Sequence, residues 1–157
     1  MISFTFFPRE DDPSWRLTGM SNPSIRALNA DDLTFHYFNS DVVIDDGNAE
    51  IQLRTPGIPV VDFVLMMVQL CREVASSGTS RVESSQTQDS IYATRRGDMV
   101  EISYSFSGVV STISLDEFNE APRRALQSAL EVLDSTHEEM PLNDYLGNLK
   151  RIVGFTD

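Results

Sequence analysis

Residues 60–75 read Val-Val-Asp-Phe-Val-Leu-Met-Met-Val-Gln-Leu-Cys-Arg-Glu-Val-Ala. Nearly every position is apolar, and Asp62, Gln69 and Glu73 fall on one narrow stripe of a helix. A helix that is apolar on almost all sides is buried on most of them. The run is too short for a membrane span, which needs about 20 apolar residues. We therefore predict a buried central helix that begins at Pro59, where the missing N–H is tolerated.

Up to five strands are predicted before this helix, from period-two alternation and from runs of aromatic and β-branched residues. They cover residues 2–7, 15–20, 33–38, 41–45 and 49–54. The last two flank Asp46-Gly47-Asn48, and a glycine beside Asp and Asn suits a tight hairpin turn.

A second group of strands is predicted after the helix. Residues 91–94 and 99–106 flank Arg95-Arg96-Gly97-Asp98 as a hairpin, and residues 109–115 form a further strand. Residues 81–90 fit either an edge strand or a loop.

Two helices complete the pattern. Asp116 offers an N-cap for a helix over about 122–134, and residues 142–153 form a closing amphipathic helix. Residues 1–157 are thus predicted to form a single α+β domain, with a largely antiparallel β-sheet, a buried central helix and two C-terminal helices.

The charge of the chain is its most unusual property. It has 24 acidic and 12 basic residues, a net charge of −12. Residues 1–53 carry −6, residues 54–104 carry −1 and residues 105–157 carry −5. Such a surface repels nucleic acid and attracts basic proteins. The N-terminal region lacks the basic start of a signal peptide, so we expect a cytoplasmic protein without membrane contact.

Candidate reactive side chains are few. Cys71, the only cysteine, lies in the apolar helix, where a buried hydrophobic role is expected rather than a nucleophile. His36 and His137 lie too far apart in the chain for paired metal ligation, and His137 is expected at a solvated helix end. No phosphate-binding, dinucleotide or serine-nucleophile motif occurs, so no cofactor is predicted.

Adjacent carboxylates occur at Asp11-Asp12, Asp31-Asp32, Asp45-Asp46 and Glu138-Glu139. Neighbouring residues on a strand point to opposite faces, so these pairs are not ready-made acid–base dyads. We expect them in solvated turns.

Three functional hypotheses follow. The first is a stoichiometric inhibitor that blocks a basic, nuclease-like toxin, since in composition alone the chain resembles bacterial immunity proteins. Its predicted contact set consists of acids near the first hairpin: Asp31, Asp32, Asp41, Asp45, Asp46 and Glu50. The second is a secretion-chaperone-like adaptor or structural subunit. The third is an enzyme or ligand binder whose site joins His36 with Asp62 or Glu101. The oligomeric state stays open.

Overall fold

The computed structural model describes residues 1–17 and 24–154. Its ten main elements follow in chain order. They are β1 (Ser3–Pro8), β2 (Asn39–Asp45), β3 (Glu50–Pro59), α1 (Val60–Ser77), β4 (Thr79–Glu83), β5 (Ser90–Arg96), β6 (Met99–Tyr104), β7 (Ser107–Ser114), α2 (Leu115–Thr136) and α3 (Asp144–Val153). Short helical turns occur at Pro13–Arg16, Ile25–Ala27, Asp32–His36 and Met140–Leu142.

The strands form two antiparallel sheets, one ordered β1-β2-β3 and the other β4-β5-β6-β7. β3 of the first sheet contacts β7 of the second, and α1 and α2 pack together against both sheets. The predicted fold class is confirmed: the protein is α+β, with antiparallel sheets, a buried central helix and two C-terminal helices. Both predicted hairpins are present, as β2–β3 and β5–β6.

Helix α1 lies at the centre of the core. Phe63, on its first turn, is fully buried, and its ring meets those of Phe4 and Phe6 edge-on at 5.6 Å each. The helix ends at Ser77, and the following Gly78 caps it with a φ of 81°, which suits a residue without Cβ. Pro59 was predicted at the first helical position but is instead the last residue of β3, directly before the helix.

Helix α2 begins earlier than predicted. Ser114, rather than Asp116, is its N-cap and accepts a hydrogen bond from the Glu117 N–H at 3.1 Å. The helix therefore contains Pro122, which cannot donate to the carbonyl of Phe118 four residues earlier. The thiol of Cys71 donates to that carbonyl instead, at 3.2 Å. A contact from α1 thus replaces the helical hydrogen bond that the proline removes.

Two predicted strands are wrong. Trp15 lies in the turn Pro13–Arg16, which Asp12 caps by accepting from the Ser14 N–H; residues 18–20 of that predicted strand lie outside the described residues. Residues 33–38 mostly form the helical turn Asp32–His36. Asn29 and Asp32 exchange backbone-to-side-chain hydrogen bonds of 2.9 and 3.0 Å there, and this local capping outweighs the strand propensity of the aromatic residues.

Residues 81–90, which were predicted as either an edge strand or a loop, contain both. Residues 81–83 belong to β4, and residues 84–89 form the loop that leads to β5. A hydrogen bond closes this loop: the Ser84 N–H donates to the carbonyl of Asp89 at 2.9 Å.

Candidate functional site

Three of the six predicted contact acids share the solvent face of the three-stranded sheet. Asp41, Asp45 and Glu50 alternate with buried Val42, Ile44 and Ile51 along β2 and β3, so their side chains point away from the core. Asp45 and Glu50 are direct cross-strand partners next to the hairpin turn. Two like charges opposite each other in a sheet destabilise it.

Asp41 is already paired. Its Oδ1 lies 2.7 Å from Nη1 of Arg9, whose guanidinium also contacts Asp11 at 3.1 Å. These two carboxylates, Asp11 first and then Asp41, raise the pKa of Arg9. Asp41 therefore adds less negative charge to this face than Asp45 and Glu50 do.

Asp46 requires a correction, because it is buried and does not lie on the contact surface. Its side chain accepts from the N–H groups of Asn48 and Ala49 at 2.8 and 2.7 Å and from the Ser111 hydroxyl at 2.6 Å. Burial raises the pKa of Asp46, but these hydrogen bonds outweigh it and hold the pKa below its ordinary value. The residue joins the first hairpin to β7 of the other sheet.

Asp31 and Asp32 belong to a different part of the chain, ahead of β2. The Asp32 carboxylate accepts a hydrogen bond from the Asn29 N–H at the start of its helical turn, while Asp31 is exposed. Among the described residues, no hydrogen bond or ion pair joins either of them to the β2–β3 hairpin. The structure thus brings together only Asp41, Asp45 and Glu50 from the predicted set.

His36 lines an open pocket of about 250 Å³. The pocket also contains Asp11, Asp12, Phe35 and Gln86. It is smaller than most ligand sites, which measure about 300 to 1,000 Å³.

The carboxylates of this pocket are engaged. Asp12 accepts from the N–H groups of Ser14 and Asn39 at 2.8 and 2.7 Å, and Asp11 pairs with Arg9. Both carboxylates are thus already held by partners within the fold.

The two predicted partners of His36 do not themselves line its pocket. Asp62 is buried in the first turn of α1 and accepts hydrogen bonds from the hydroxyls of Ser84 and Ser85, at 3.3 and 2.7 Å, and from the Ser85 N–H at 3.0 Å. Burial raises the pKa of Asp62 despite these bonds. Glu101 pairs with Arg96 on the outer face of the four-stranded sheet. The site that joins His36 with Asp62 or Glu101 stays a prediction.

His137 was expected at a solvated helix end, and this is wrong. Its side chain is only 8% exposed and packs against Phe38, with ring centroids 5.6 Å apart. Burial lowers the pKa of His137. Hydrogen bonds with the backbone of Ser14 and Leu17 act in the opposite direction but do not cancel this shift. Its Nε2 has no hydrogen-bond partner within residues 1–17 and 24–154.

Cys71 is partly buried in the α1–α2 contact. Burial raises the pKa of the thiol to about 12, so the thiolate is scarce at neutral pH. This agrees with the packing role expected for it.

A second surface was missed by the sequence reasoning. Tyr92, Met99 and Val110 are exposed on the outer face of the four-stranded sheet, together with small polar side chains such as Ser103. The alternation of each strand separates these residues from the core, but it does not show which strands are neighbours. Cross-strand register places Ser103 between Tyr92 and Val110 in one row.

Comparison of the chain with protein-family models, curated proteins and solved structures gives no match. Within the described residues, no group of three His, Cys, Asp or Glu side chains is placed to hold a metal ion. None of the helices in that part of the chain has the length and apolar character needed to cross a membrane.

Proposed function

We propose that the protein is a non-enzymatic binding protein that recognises a basic protein partner through the outer face of the β2–β3 hairpin. In this proposal it works in the bacterial cytoplasm as an immunity-type inhibitor. It covers the cationic cleft of a nuclease-like toxin by protein–protein contact.

The observation that supports this proposal is the cross-strand pair Asp45–Glu50. Asp45 Oδ1 accepts from the Gly47 N–H at 2.8 Å, and no basic side chain among the described residues forms an ion pair with either carboxylate. The fold thus keeps two like charges opposed at a cost in stability. A Lys or Arg side chain from a partner relieves that repulsion, so the same pair favours association with a basic surface.

The distribution of charge adds to the argument. Residues 1–53 carry a net charge of −6, and complementary charge accelerates the encounter with a basic protein. Competition for cationic side chains that otherwise hold phosphate groups is a direct route to inhibition of a nuclease.

The test uses the wild-type chain and the double variant Asp45→Asn/Glu50→Gln as baits in lysate of the native host. The protein captured is identified, purified and titrated against both baits at low and high salt. We expect a basic protein with nuclease activity that the wild type inhibits. Loss of two charges should weaken its binding about a hundredfold or more at low salt, since contacts between close charge pairs contribute on the order of 1.5 kcal/mol or more each.

Glu131→Gln/Glu138→Gln is the matched control, because it removes two exposed charges from a different part of the surface. It should bind nearly as the wild type does. Equal affinity and equal salt dependence for wild type and Asp45→Asn/Glu50→Gln would contradict the proposed face. Capture of unfolded or secretion-bound clients alone would replace inhibition with the adaptor function.

A further inference from the structure

The outer face of the four-stranded sheet differs in charge from the rest of the protein. Residues 79–114 contain three basic and four acidic residues, a net charge of −1, while the remaining residues carry −11. On the face itself Arg81 pairs with Glu83 at 3.0 Å, and Arg96 pairs with Glu101. Both signs are therefore present in equal number.

This face also carries exposed apolar surface. Of eight large apolar side chains exposed in the described residues, Tyr92, Met99 and Val110 lie here, and Val110 is 59% exposed. A shallow depression of about 140 Å³ lies between Tyr92 and Val110. The helices pack on the opposite face, and no described element covers this one.

The charge pattern favours a second copy of this chain as the occupant. Two copies of a chain with a net charge of −12 repel each other over most of their surface. They can approach closely only where the charge is balanced. Across a two-fold axis the arginines of one copy can lie opposite the glutamates of the other, and the Tyr92 ring or Val110 of each copy can fill the depression of its partner.

We propose that this face binds a second copy of the chain and forms a symmetric, sheet-on-sheet homodimer. The strands are five to eight residues long. At about 4.8 Å between strands and about 3.4 Å per residue, the face spans roughly 15 by 20 Å between its outermost Cα atoms. That is a small interface, so the dimer is weak and depends on concentration.

The experiment is sedimentation equilibrium of the wild type from low micromolar to several hundred micromolar. Val110→Glu adds an unpaired negative charge to this face of each copy and should raise the dimer dissociation constant at least about a hundredfold. Leu142→Glu is the matched control, since Leu142 is 53% exposed on a different element. It should leave dimerisation close to wild type. Far-UV circular dichroism checks that each variant is folded.

A charge exchange provides a second test that does not depend on Val110. Arg96→Glu makes the face acidic and should weaken the dimer, while Arg96→Glu/Glu101→Arg restores the balance and should recover it. A wild type that stays monomeric throughout the concentration range would overturn the proposal. So would a dimer that resists Val110→Glu and Arg96→Glu but dissociates on Leu142→Glu.

This proposal does not rest on the proposed function. A monomeric wild type that still binds a basic protein through Asp45 and Glu50 would contradict the dimer proposal but not the proposed function. A wild type that dimerises but binds no basic protein would contradict the proposed function but not the dimer proposal.

Discussion

The hydroxyl of Ser111 donates a hydrogen bond of 2.6 Å to Oδ2 of Asp46, although 65 positions separate the two residues. The carboxylate can only accept, so the Ser111 hydrogen points to Asp46 and the Tyr104 hydroxyl, 2.8 Å from Ser111 Oγ, is the donor in the second contact. Burial raises the pKa of Tyr104 to about 12, which keeps it protonated as a donor. This chain of three buried groups links the hairpin of one sheet to two strands of the other.

Ser111→Ala should destabilise the protein by about 1 to 3 kcal/mol, because it removes two hydrogen bonds and leaves the Tyr104 hydroxyl without its partner in the core. Urea unfolding monitored by circular dichroism measures the change. Ser103→Ala is the matched control, since the same substitution on the outward side of the neighbouring strand should cost no more than about 0.5 kcal/mol. Equal effects of the two variants would contradict a stabilising role for the link.

Asp62→Asn should change the pH dependence of stability. Burial raises the pKa of Asp62 above its ordinary value of 3.8, so folding favours the protonated form. Its contribution to stability is fully present below pH 3.8 and is lost as pH rises through the raised pKa. The stability of Asp62→Asn relative to the wild type should therefore increase from acidic pH to pH 7. Urea titrations at several pH values measure this difference.

Ser85→Ala tests the hydrogen bond that stabilises the charged form of Asp62. The Ser85 hydroxyl donates to Asp62 at 2.7 Å and opposes the rise of its pKa. Its removal should cost more at pH 7, where the carboxylate is charged, than near pH 4. A cost that does not vary with pH would show that Asp62 does not respond to this hydrogen bond.

His137→Gln should reduce the sensitivity of the protein to mild acid. Burial lowers the pKa of His137 below its ordinary value of 6.5. The unfolded chain then takes up the proton first, so wild-type stability from this group is present above pH 6.5 and is lost as pH falls towards the lowered pKa. The wild type should lose more stability than His137→Gln between pH 7 and that value. Parallel pH profiles of the unfolding free energy would contradict this.

Cys71 should react slowly with a thiol reagent in the native state at pH 8. Its pKa of about 12 and its hydrogen bond to the Phe118 carbonyl both disfavour the thiolate. The chain unfolded in urea should react at the rate of a free cysteine thiol. The two rates are followed by the absorbance of the released chromophore, and rapid native reaction would show that the α1–α2 contact opens readily.

Local signals were sufficient for much of the fold. The β2–β3 hairpin follows from Asp46-Gly47-Asn48, and α1 follows from an apolar run that no surface helix tolerates. The prediction failed where hydrogen bonds between side chain and backbone decide the local structure. At Asn29 and Asp32 the reciprocal caps hold a helical turn in a stretch with strand-like composition.

The start of α2 shows a different limit. Pro122 indicated a helix that begins there, since a proline inside a helix leaves a carbonyl without its donor. Only the packing of α1 against α2 provides Cys71 as the replacement donor at Phe118. That contact joins residues 47 positions apart and has no signature in either segment.

By itself the sequence determined the α+β class, the buried central helix and the acidity of the chain, because these depend on composition and on the periodicity of neighbouring residues. Only the tertiary structure decided which acids lie side by side on one face. Asp45 and Asp46 are adjacent, yet strand alternation and the approach of β7 place one carboxylate in solvent beside Glu50 and the other in the core beside Ser111. The physical reason is burial: a carboxylate leaves water only where the fold provides donors for it, and those donors come from residues that are distant in the chain.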